Sequence, residues 1–163
     1  MGKQKGFSLI ELLIVVAIIL IIAAIAIPNL LRSRIAANES SAVGSIRTLN
    51  TAEVTYASTY PDLGFTCTLS NLGPTAGSSA TSTAAGLIDG VLASGVKSGY
   101  SFVLTSCTAA GSTGINVTYV SQGSPVALGQ TGQRAFCSDQ SGVIKYNAAG
   151  SGPSCTTGSS ALQ

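Results

Sequence analysis

The residue types that most often carry out catalysis or bind metals are scarce in this chain. Its 163 residues contain no histidine, which excludes catalytic triads and metal sites that depend on histidine. The six acidic residues include no pair in the body of the chain that suggests a general acid and a general base. We therefore expect no enzyme, no cofactor and no metal site.

Four cysteines offer the remaining reactive chemistry: Cys67, Cys107, Cys137 and Cys155. The chain has no CxxC pair, which argues against a zinc ribbon or a thioredoxin motif. Wide spacing behind an apolar N-terminus predicts two disulfides in an oxidising compartment, although three connectivities are open. We favour Cys67–Cys107 with Cys137–Cys155, because the second bond closes a short local loop rich in turn residues.

Charge is low along the whole chain. Charged residues make up 9% of it, against about 25% in ordinary soluble proteins. The formal net charge is +2, and it falls to zero when Lys3 and Lys5 are set aside. This composition does not indicate a basic surface for nucleic acid, so DNA binding is a possible but unsupported activity.

The N-terminus joins a short basic segment to a long apolar one. Met1–Gly6 is polar, whereas Leu12–Ile27 is an unbroken apolar run. This pattern is typical of a secretory signal peptide or of a signal anchor, since the 20 uncharged residues Leu12–Leu31 are long enough to span a bilayer. Glu11 fits neither class, because a carboxylate inside an apolar segment costs roughly 2.5–3.5 kcal/mol. Glu11 is therefore a candidate functional residue.

A third interpretation accounts for Glu11. The segment Lys5-Gly-Phe-Ser-Leu-Ile-Glu-Leu-Leu13 resembles the prepilin cleavage motif of type IV pilins and pseudopilins. The resemblance implies that a prepilin peptidase cuts between Gly6 and Phe7 and methylates the new N-terminus at Phe7. It also implies that Glu11 neutralises the terminal amine of a neighbouring subunit during assembly, because a buried amine and a buried carboxylate each need an opposite charge.

The apolar pattern predicts one long helix over residues 7–59. Its first half, 7–31, is apolar on all sides and must be buried in lipid or among other subunits. In its second half, 32–59, apolar residues recur at helical spacing and predict one buried face, and Glu39 and Ser45 are assigned to the solvent side. The predicted face consists of Ile35, Ala42, Val43, Ile46, Leu49, Val54 and Tyr56.

Pro28 lies inside this helix and removes one backbone hydrogen bond, so a kink or local opening is expected near it. In type IV pilins a proline at this place marks a segment that loses helicity in the filament, which implies melting around Leu20–Pro28. Many family members also have a glycine about eight residues earlier. Because this chain has Leu20 there, only Pro28 supplies the weakness.

Residues 60–163 are predicted to form a globular head, with residues 1–6 as a leader peptide. Gly73–Gly86 has low sequence complexity and predicts a surface loop. Four strand patterns predict a small antiparallel sheet packed on the second half of the helix: Tyr100–Thr105, Ile115–Ser121, Gln133–Cys137 and Val143–Tyr146. This α+β arrangement resembles the pilin fold, and Cys137–Cys155 would close a C-terminal loop.

Weaker motifs also occur in the chain. Asn38-Glu-Ser40 and Asn116-Val-Thr118 match the N-glycosylation pattern, and Asp139 lies in a polar turn that would suit a calcium ion. Short motifs give many false matches, and one acid is too few for a strong calcium site. We expect chance matches and an Asp139 that caps its turn.

The resemblance implies a major pilin that polymerises through its N-terminal helix into a type IV pilus for adhesion, surface motility or DNA uptake. The implied partners are further copies in a helical filament, the prepilin peptidase, and an inner-membrane assembly platform with a motor ATPase. The subunit would lie in the bacterial inner membrane before assembly and in an extracellular pilus afterwards. The main alternative is a pseudopilin of a type II secretion system; a minor pilin and an anchored enzyme are further alternatives.

Overall fold

The computed structural model describes residues 6–75, 77, 79–112, 114–150 and 160–162. These residues fall into two compact units, one ending at Arg34 and one beginning at Ile35. The long helix α1, Leu9–Thr59, contributes to both. In the second unit α1 is followed by a 3-10 turn at Leu69–Leu72 and by the short helix α2, Gly90–Ala93.

Both ends of α1 follow from local sequence. At its start the Glu11 carboxylate accepts a hydrogen bond of 3.0 Å from the backbone N–H of Ser8, which satisfies one of the free donors of a helix N-terminus. At its end the Tyr60 N–H still bonds to the Tyr56 carbonyl at 2.8 Å, and Pro61 cannot continue the pattern. The helix predicted over 7–59 is thus confirmed to within two residues.

The first unit is a helix without a core. Every described residue up to Arg34 is exposed except Ala23, which is half-buried. Pro28 lies inside the helix, which continues on both sides of it. The loss of helicity expected around Leu20–Pro28 concerns the assembled filament and stays a prediction.

In the described part of the second unit, six strands form an antiparallel sheet and follow chain order. They are β1 Val96–Lys97, β2 Tyr100–Ala109, β3 Asn116–Pro125, β4 Ala135–Asp139, β5 Lys145–Asn147 and β6 Ser160–Ala161. The α+β class is confirmed, but the predicted count of four strands is wrong. β1 and β6 have two residues each, too few to show any alternation of apolar and polar residues.

The core of the second unit forms where α1 packs on the sheet. It includes Ala42, Ile46, Leu49, Ala52 and Tyr56 from α1, and Tyr100, Phe102, Leu104, Tyr119 and Phe136 from the strands. The predicted apolar face is therefore confirmed for most of its members. It is wrong for Val54, which is 56% exposed, and the solvent positions assigned to Glu39 and Ser45 are wrong because both are buried.

The exposed face of α1 is rich in hydroxyl groups that bond to the helix itself. Each donates to the backbone carbonyl four residues earlier, at 2.8–3.1 Å. The residues are Thr48, Thr51, Thr55, Ser58 and Thr59. Serine and threonine compete in this way with backbone hydrogen bonds, and here they do so without interrupting the helix.

A tight turn joins α1 to the rest of the second unit. The N–H groups of Leu63 and Gly64 bond to the Tyr60 carbonyl at 3.0 and 3.1 Å, and the Leu63 carbonyl accepts from the Asn116 N–H at 3.0 Å. Gly64 has a φ of +72°, and a Cβ there would collide with the Asn116 carbonyl oxygen. The turn is therefore fixed to the start of β3.

Replacing Gly64 by alanine should destabilise the protein, because the new Cβ meets both a left-handed backbone and the Asn116 carbonyl. We expect a loss of at least about 1–3 kcal/mol in the free energy of unfolding. The measurement is urea unfolding of the full chain in detergent, followed by tyrosine fluorescence.

Gly142→Ala is the matched control, since Gly142 has a φ of +74° and no neighbour within 4 Å of an added Cβ. It isolates the cost of the left-handed conformation from that of the collision. Equal losses in the two variants would contradict the close approach of Gly64 to Asn116.

Candidate processing and assembly site

Gly6 and Phe7 precede α1 in a segment without regular structure. Phe7 is 79% exposed, and a side chain placed at Gly6 would meet no atom within 4 Å. The peptide bond between them is therefore accessible to a protease. Packing among the described residues gives no reason for glycine at position 6, and we attribute a requirement for Gly6 to a partner.

Glu11 lies in the first turn of α1, where free N–H groups and the helix dipole favour a negative charge. Its side chain is exposed, and its only hydrogen bond among the described residues is the one from the Ser8 N–H. A new amine at Phe7 would lie about one helical turn away. The structure thus places Gly6, Phe7 and Glu11 at one end of α1, with Pro28 roughly 26 Å further along the helix.

The first unit presents a large apolar surface to its surroundings. Between Phe7 and Leu31, seventeen large apolar side chains are each at least 43% exposed. At about 1.5 kcal/mol for a fully exposed side chain, scaled to the 43–79% exposure of these residues, leaving them in water forgoes roughly 15 kcal/mol, which is comparable to the net stability of a domain. By length and composition α1 is able to cross a membrane. This surface therefore needs lipid or other apolar helices around it.

Cys67 and Cys107 are joined by a disulfide with a Cα–Cα distance of 5.9 Å. The bond ties the segment after α1 to β2, and it is the pair favoured from the sequence. Cys137 is buried in β4. Its predicted partner Cys155 lies outside the described residues, so Cys137–Cys155 stays a prediction.

The side chains of the weaker motifs make internal hydrogen bonds. The amide nitrogens of Asn38 and Asn116, which glycosylation would modify, donate to the carbonyls of Thr131 and Phe65, both at 2.9 Å. Asp139 caps its turn by accepting from the Ser141 N–H at 2.9 Å. Within the described part of the chain, no group of three or more His, Cys, Asp or Glu side chains could hold a metal.

Glu39 connects α1 to the start of β4. Its Oε1 accepts from the N–H groups of Gln133 and Arg134 at 3.0 and 3.1 Å, and its Oε2 accepts from Nε and Nη2 of Arg134 at 2.9 and 2.6 Å. Burial raises the pKa of Glu39, but these hydrogen bonds and the guanidinium charge outweigh it, so the pKa lies below its ordinary value. Glu39 is therefore a buried, fully paired carboxylate.

Glu53 is buried in a different environment. It is fully buried, its Oε2 accepts from the Thr66 N–H at 2.9 Å, and its Oε1 has no partner among the described residues. Burial raises the pKa of Glu53 to about 7, and the Thr66 N–H offsets this only in part. Burial also raises the pKa of the neighbouring Tyr56 and Tyr119, and the Glu53 charge adds to that rise. Near neutral pH much of Glu53 is thus protonated.

Sequence reasoning missed Glu53 and placed Glu39 on the wrong side of the helix. The spacing that marks the buried face holds the signal, because Glu39 and Glu53 continue its steps of three and four residues. In full, the buried face at this spacing reads Ile35, Glu39, Ala42, Ile46, Leu49, Glu53 and Tyr56. The position on the helix decides burial here and the residue type does not, since each carboxylate accepts hydrogen bonds from residues of the second unit outside α1.

Glu53→Gln should remove a dependence of stability on pH. Because burial raises the pKa from 4.5 to about 7, the folded chain keeps a proton that the unfolded chain loses. Wild-type stability should therefore fall as pH rises from 4.5 to about 7, by about 3 kcal/mol, and then level off. The variant should show a flatter profile in urea unfolding and should be the more stable protein at pH 8.

Glu39→Gln is the contrasting control. The pKa of Glu39 is lower in the folded chain than in the unfolded chain, so its charged form stabilises the fold above pH 4.5. This contribution is lost as pH falls through the pKa of the folded state. Replacing Glu39 should therefore cost stability at neutral pH, where replacing Glu53 increases it. The same sign of change for both variants at pH 8 would contradict the assignment.

Comparison with known proteins identifies the N-terminal part of the chain. Residues 1–27 match the family described as "Prokaryotic N-terminal methylation motif". The chain is 46% identical over 56 residues to the type IV major pilin protein PilA of Myxococcus xanthus, covering 34% of this chain and 26% of the relative. It is 62% identical over 40 residues to the type IV wide pilus major component PilA4 of Thermus thermophilus, covering 24% and 30%.

These matches span less than a third of each relative, and no solved structure matches the chain significantly. The family match at residues 1–27 covers the region where Gly6, Phe7 and Glu11 lead into the exposed apolar helix. The chain therefore carries the N-terminal methylation motif of the type IV pilins and, over part of its length, is homologous to type IV major pilins.

Proposed function

We propose that this protein is a structural subunit, a major pilin, that polymerises through its N-terminal helix into a type IV pilus. The observation that carries the proposal is the exposed apolar surface of residues 7–31, which nothing in the described first unit covers. Before assembly lipid would cover it, and in a filament the same segments of other copies would. A single surface then serves both as membrane anchor and as filament core.

The division of the chain follows from this proposal. Residues 1–6 act as the leader, 7–31 as the membrane and filament segment, 32–59 as the amphipathic half of the helix, and 60–163 as the head. The compact units described above divide at nearly the same place, between Arg34 and Ile35. The head would face outward, since its largest apolar residues, among them Tyr100, Phe102 and Phe136, are packed in its core.

Processing would create the charge that Glu11 needs. Cleavage between Gly6 and Phe7 leaves a positive amine on an apolar helix, and methylation of Phe7 retains that charge. Moving either charge into a lipid or helix environment alone is costly, whereas an amine of one copy beside Glu11 of another compensates both. The pairing would also set how far one copy slides along the next.

The partners and locations follow from the same chemistry. A prepilin peptidase would act on the exposed Gly6–Phe7 bond, and an inner-membrane platform with a motor ATPase would drive extraction of the subunit. The protein would lie in the bacterial inner membrane before assembly and in an extracellular filament afterwards. Pro28, where the helix lacks one backbone donor, would be the point of local opening during packing.

The filament would serve adhesion, surface motility or DNA uptake. Of these, DNA binding gains least from the described head, because each of its cations, Lys97, Arg134 and Lys145, already forms an ion pair with an acid of the same chain. A pseudopilin of a type II secretion system is the alternative function. The printed names of both relatives describe pilus components, which favours the pilus. Filaments at native expression would support it, and loss of protein secretion on deletion would support the alternative.

The mature protein should begin at N-methyl-Phe7. Mass spectrometry of material sheared from the cell surface should find this N-terminus, with a mass four hydrogens lower for two disulfides. Gly6→Leu should leave the chain uncleaved and in the membrane. Because position 6 is open, this substitution should not disturb the fold. Surface material that begins at Met1 or near Ile27 would contradict the proposal.

Glu11→Gln should be cleaved normally yet assemble poorly. Glutamine retains an oxygen that accepts from the Ser8 N–H, so the variant removes the charge and not the helix cap. An uncompensated buried amine costs several kcal/mol, so we expect at least about tenfold fewer filaments by electron microscopy. Glu11→Asp, which retains the charge, is the control and should assemble better than Glu11→Gln. Wild-type filament yield in the glutamine variant would overturn the role of Glu11.

A further inference from the structure

Two exposed charges of the second unit have no partner among the residues that the structure describes. Arg134, Lys97 and Lys145 form ion pairs within the chain. By contrast, the side chains of Arg47 and Asp62 are exposed and make neither an ion pair nor a hydrogen bond among the described residues. They are of opposite sign.

The two charges cannot reach each other within one molecule. Arg47 lies on α1, which continues to Thr59 before the turn that carries Asp62. The helix alone separates them by about 18 Å, far beyond the 4 Å of an ion pair. If they pair, they pair between copies that are displaced along the helix axis.

Arg47 lies at a groove that also offers apolar surface. The groove has a volume of about 520 Å³ and runs between α1 and the sheet. Its accessible apolar lining includes the half-buried Val43 and Leu162, whereas Phe136, which also lines the groove, is fully buried. Arg134 also lines the groove, but its guanidinium is already held by Glu39. The groove therefore suits a ligand with one carboxylate beside one apolar side chain.

The turn after α1 has this composition. Asp62 is exposed, and the adjacent Leu63 is 45% exposed although it is a large apolar residue. The backbone of the turn is held by the Tyr60 carbonyl on one side and by Asn116 on the other. A segment that is already fixed loses little conformational entropy on binding.

We propose that the Asp62–Leu63 turn of one copy docks in the groove beside Arg47 of a second copy. This contact rests on the proposed function and adds a head-to-head interface to it. Because the turn and the groove are different surfaces of one chain, the contact is heterologous, and a heterologous contact repeats either as a closed ring or as an open helical polymer. In the proposed filament it would repeat along the open helix.

Arg32 and Arg34 are also exposed and also positive. They offer Asp62 a charge, but the contact requires an apolar surface for Leu63 as well. The groove beside Arg47 supplies both. The test must therefore separate Arg47 from the other two arginines.

Charge reversal tests the pairing. Arg47→Glu and Asp62→Arg should each lower the yield of sheared filaments about tenfold, because like charges then face each other across the contact. The double variant Arg47→Glu/Asp62→Arg should restore the yield to within about twofold of wild type. All three variants change exposed residues, and their urea unfolding should match that of wild type.

Arg34→Glu/Asp62→Arg is the matched control and should not restore filaments. Rescue by this pair in place of the Arg47 pair would overturn the docking proposal. Wild-type yields for both single variants, in an assay where Glu11→Gln fails, would also overturn it and leave the proposed function intact. A wild-type chain that forms no filaments when expressed with its assembly machinery would overturn both.

Leu63 gives an independent readout of the apolar part of the contact. Leu63→Asp should reduce filament yield with unchanged unfolding, since it adds a charge to a position that would face Val43 and Leu162. Leu63→Met keeps the apolar volume and should assemble as wild type. Equal yields for Leu63→Asp and wild type would overturn the contact.

Discussion

Removal of apolar side chains from water is the constraint on which this molecule depends. From Ile35 onward the chain satisfies this constraint with its own residues, because Ile46, Leu49 and Tyr56 of α1 pack against strands of its own sheet. Up to Leu31 the same helix has no such cover within its unit. A chain that buries half of a helix and exposes the other half is complete only in a lipid or protein environment. Polymerisation is one way to supply that environment without a second gene product.

The three carboxylates of α1 lie where a charge has a high desolvation cost, and each is stabilised in a different way. Glu11 lies at a helix N-terminus, where backbone donors and the dipole favour its charge. Glu39 is paired with a guanidinium and two backbone N–H groups. Glu53 accepts one hydrogen bond from a backbone N–H, and burial raises its pKa to about 7. The three acids of α1 are thus stabilised by three different sets of interactions along one helix.

The long helix could be predicted from sequence to within two residues, because its signals are local. A run of apolar residues, a basic leader and one acid at a fixed spacing also indicate the candidate site, whose roles in cleavage, methylation and assembly stay predictions. The head was harder to predict, since its details arise from contacts between distant residues. The edge strands β1 and β6 are created by pairing with neighbours and not by their own two-residue patterns. The helical spacing places Glu53 on the buried face of α1. Its hydrogen bond from the Thr66 N–H, and the bond from the Asn116 N–H that holds the Asp62–Leu63 turn, join residues that no local pattern pairs.

The hydroxyl groups on the outer face of α1 have a further consequence. A free hydroxyl that leaves water without a partner incurs a large desolvation penalty, but Thr48, Thr51, Thr55 and Ser58 carry their partners with them on the preceding turn. What they present outward is largely methyl and methylene surface. This face is therefore compatible both with water around a lone subunit and with a desolvated contact between subunits. Its hydroxyl groups keep the same hydrogen bonds in both environments. The desolvation of these hydroxyl groups therefore adds little to the free-energy cost of moving this face from water into a subunit contact.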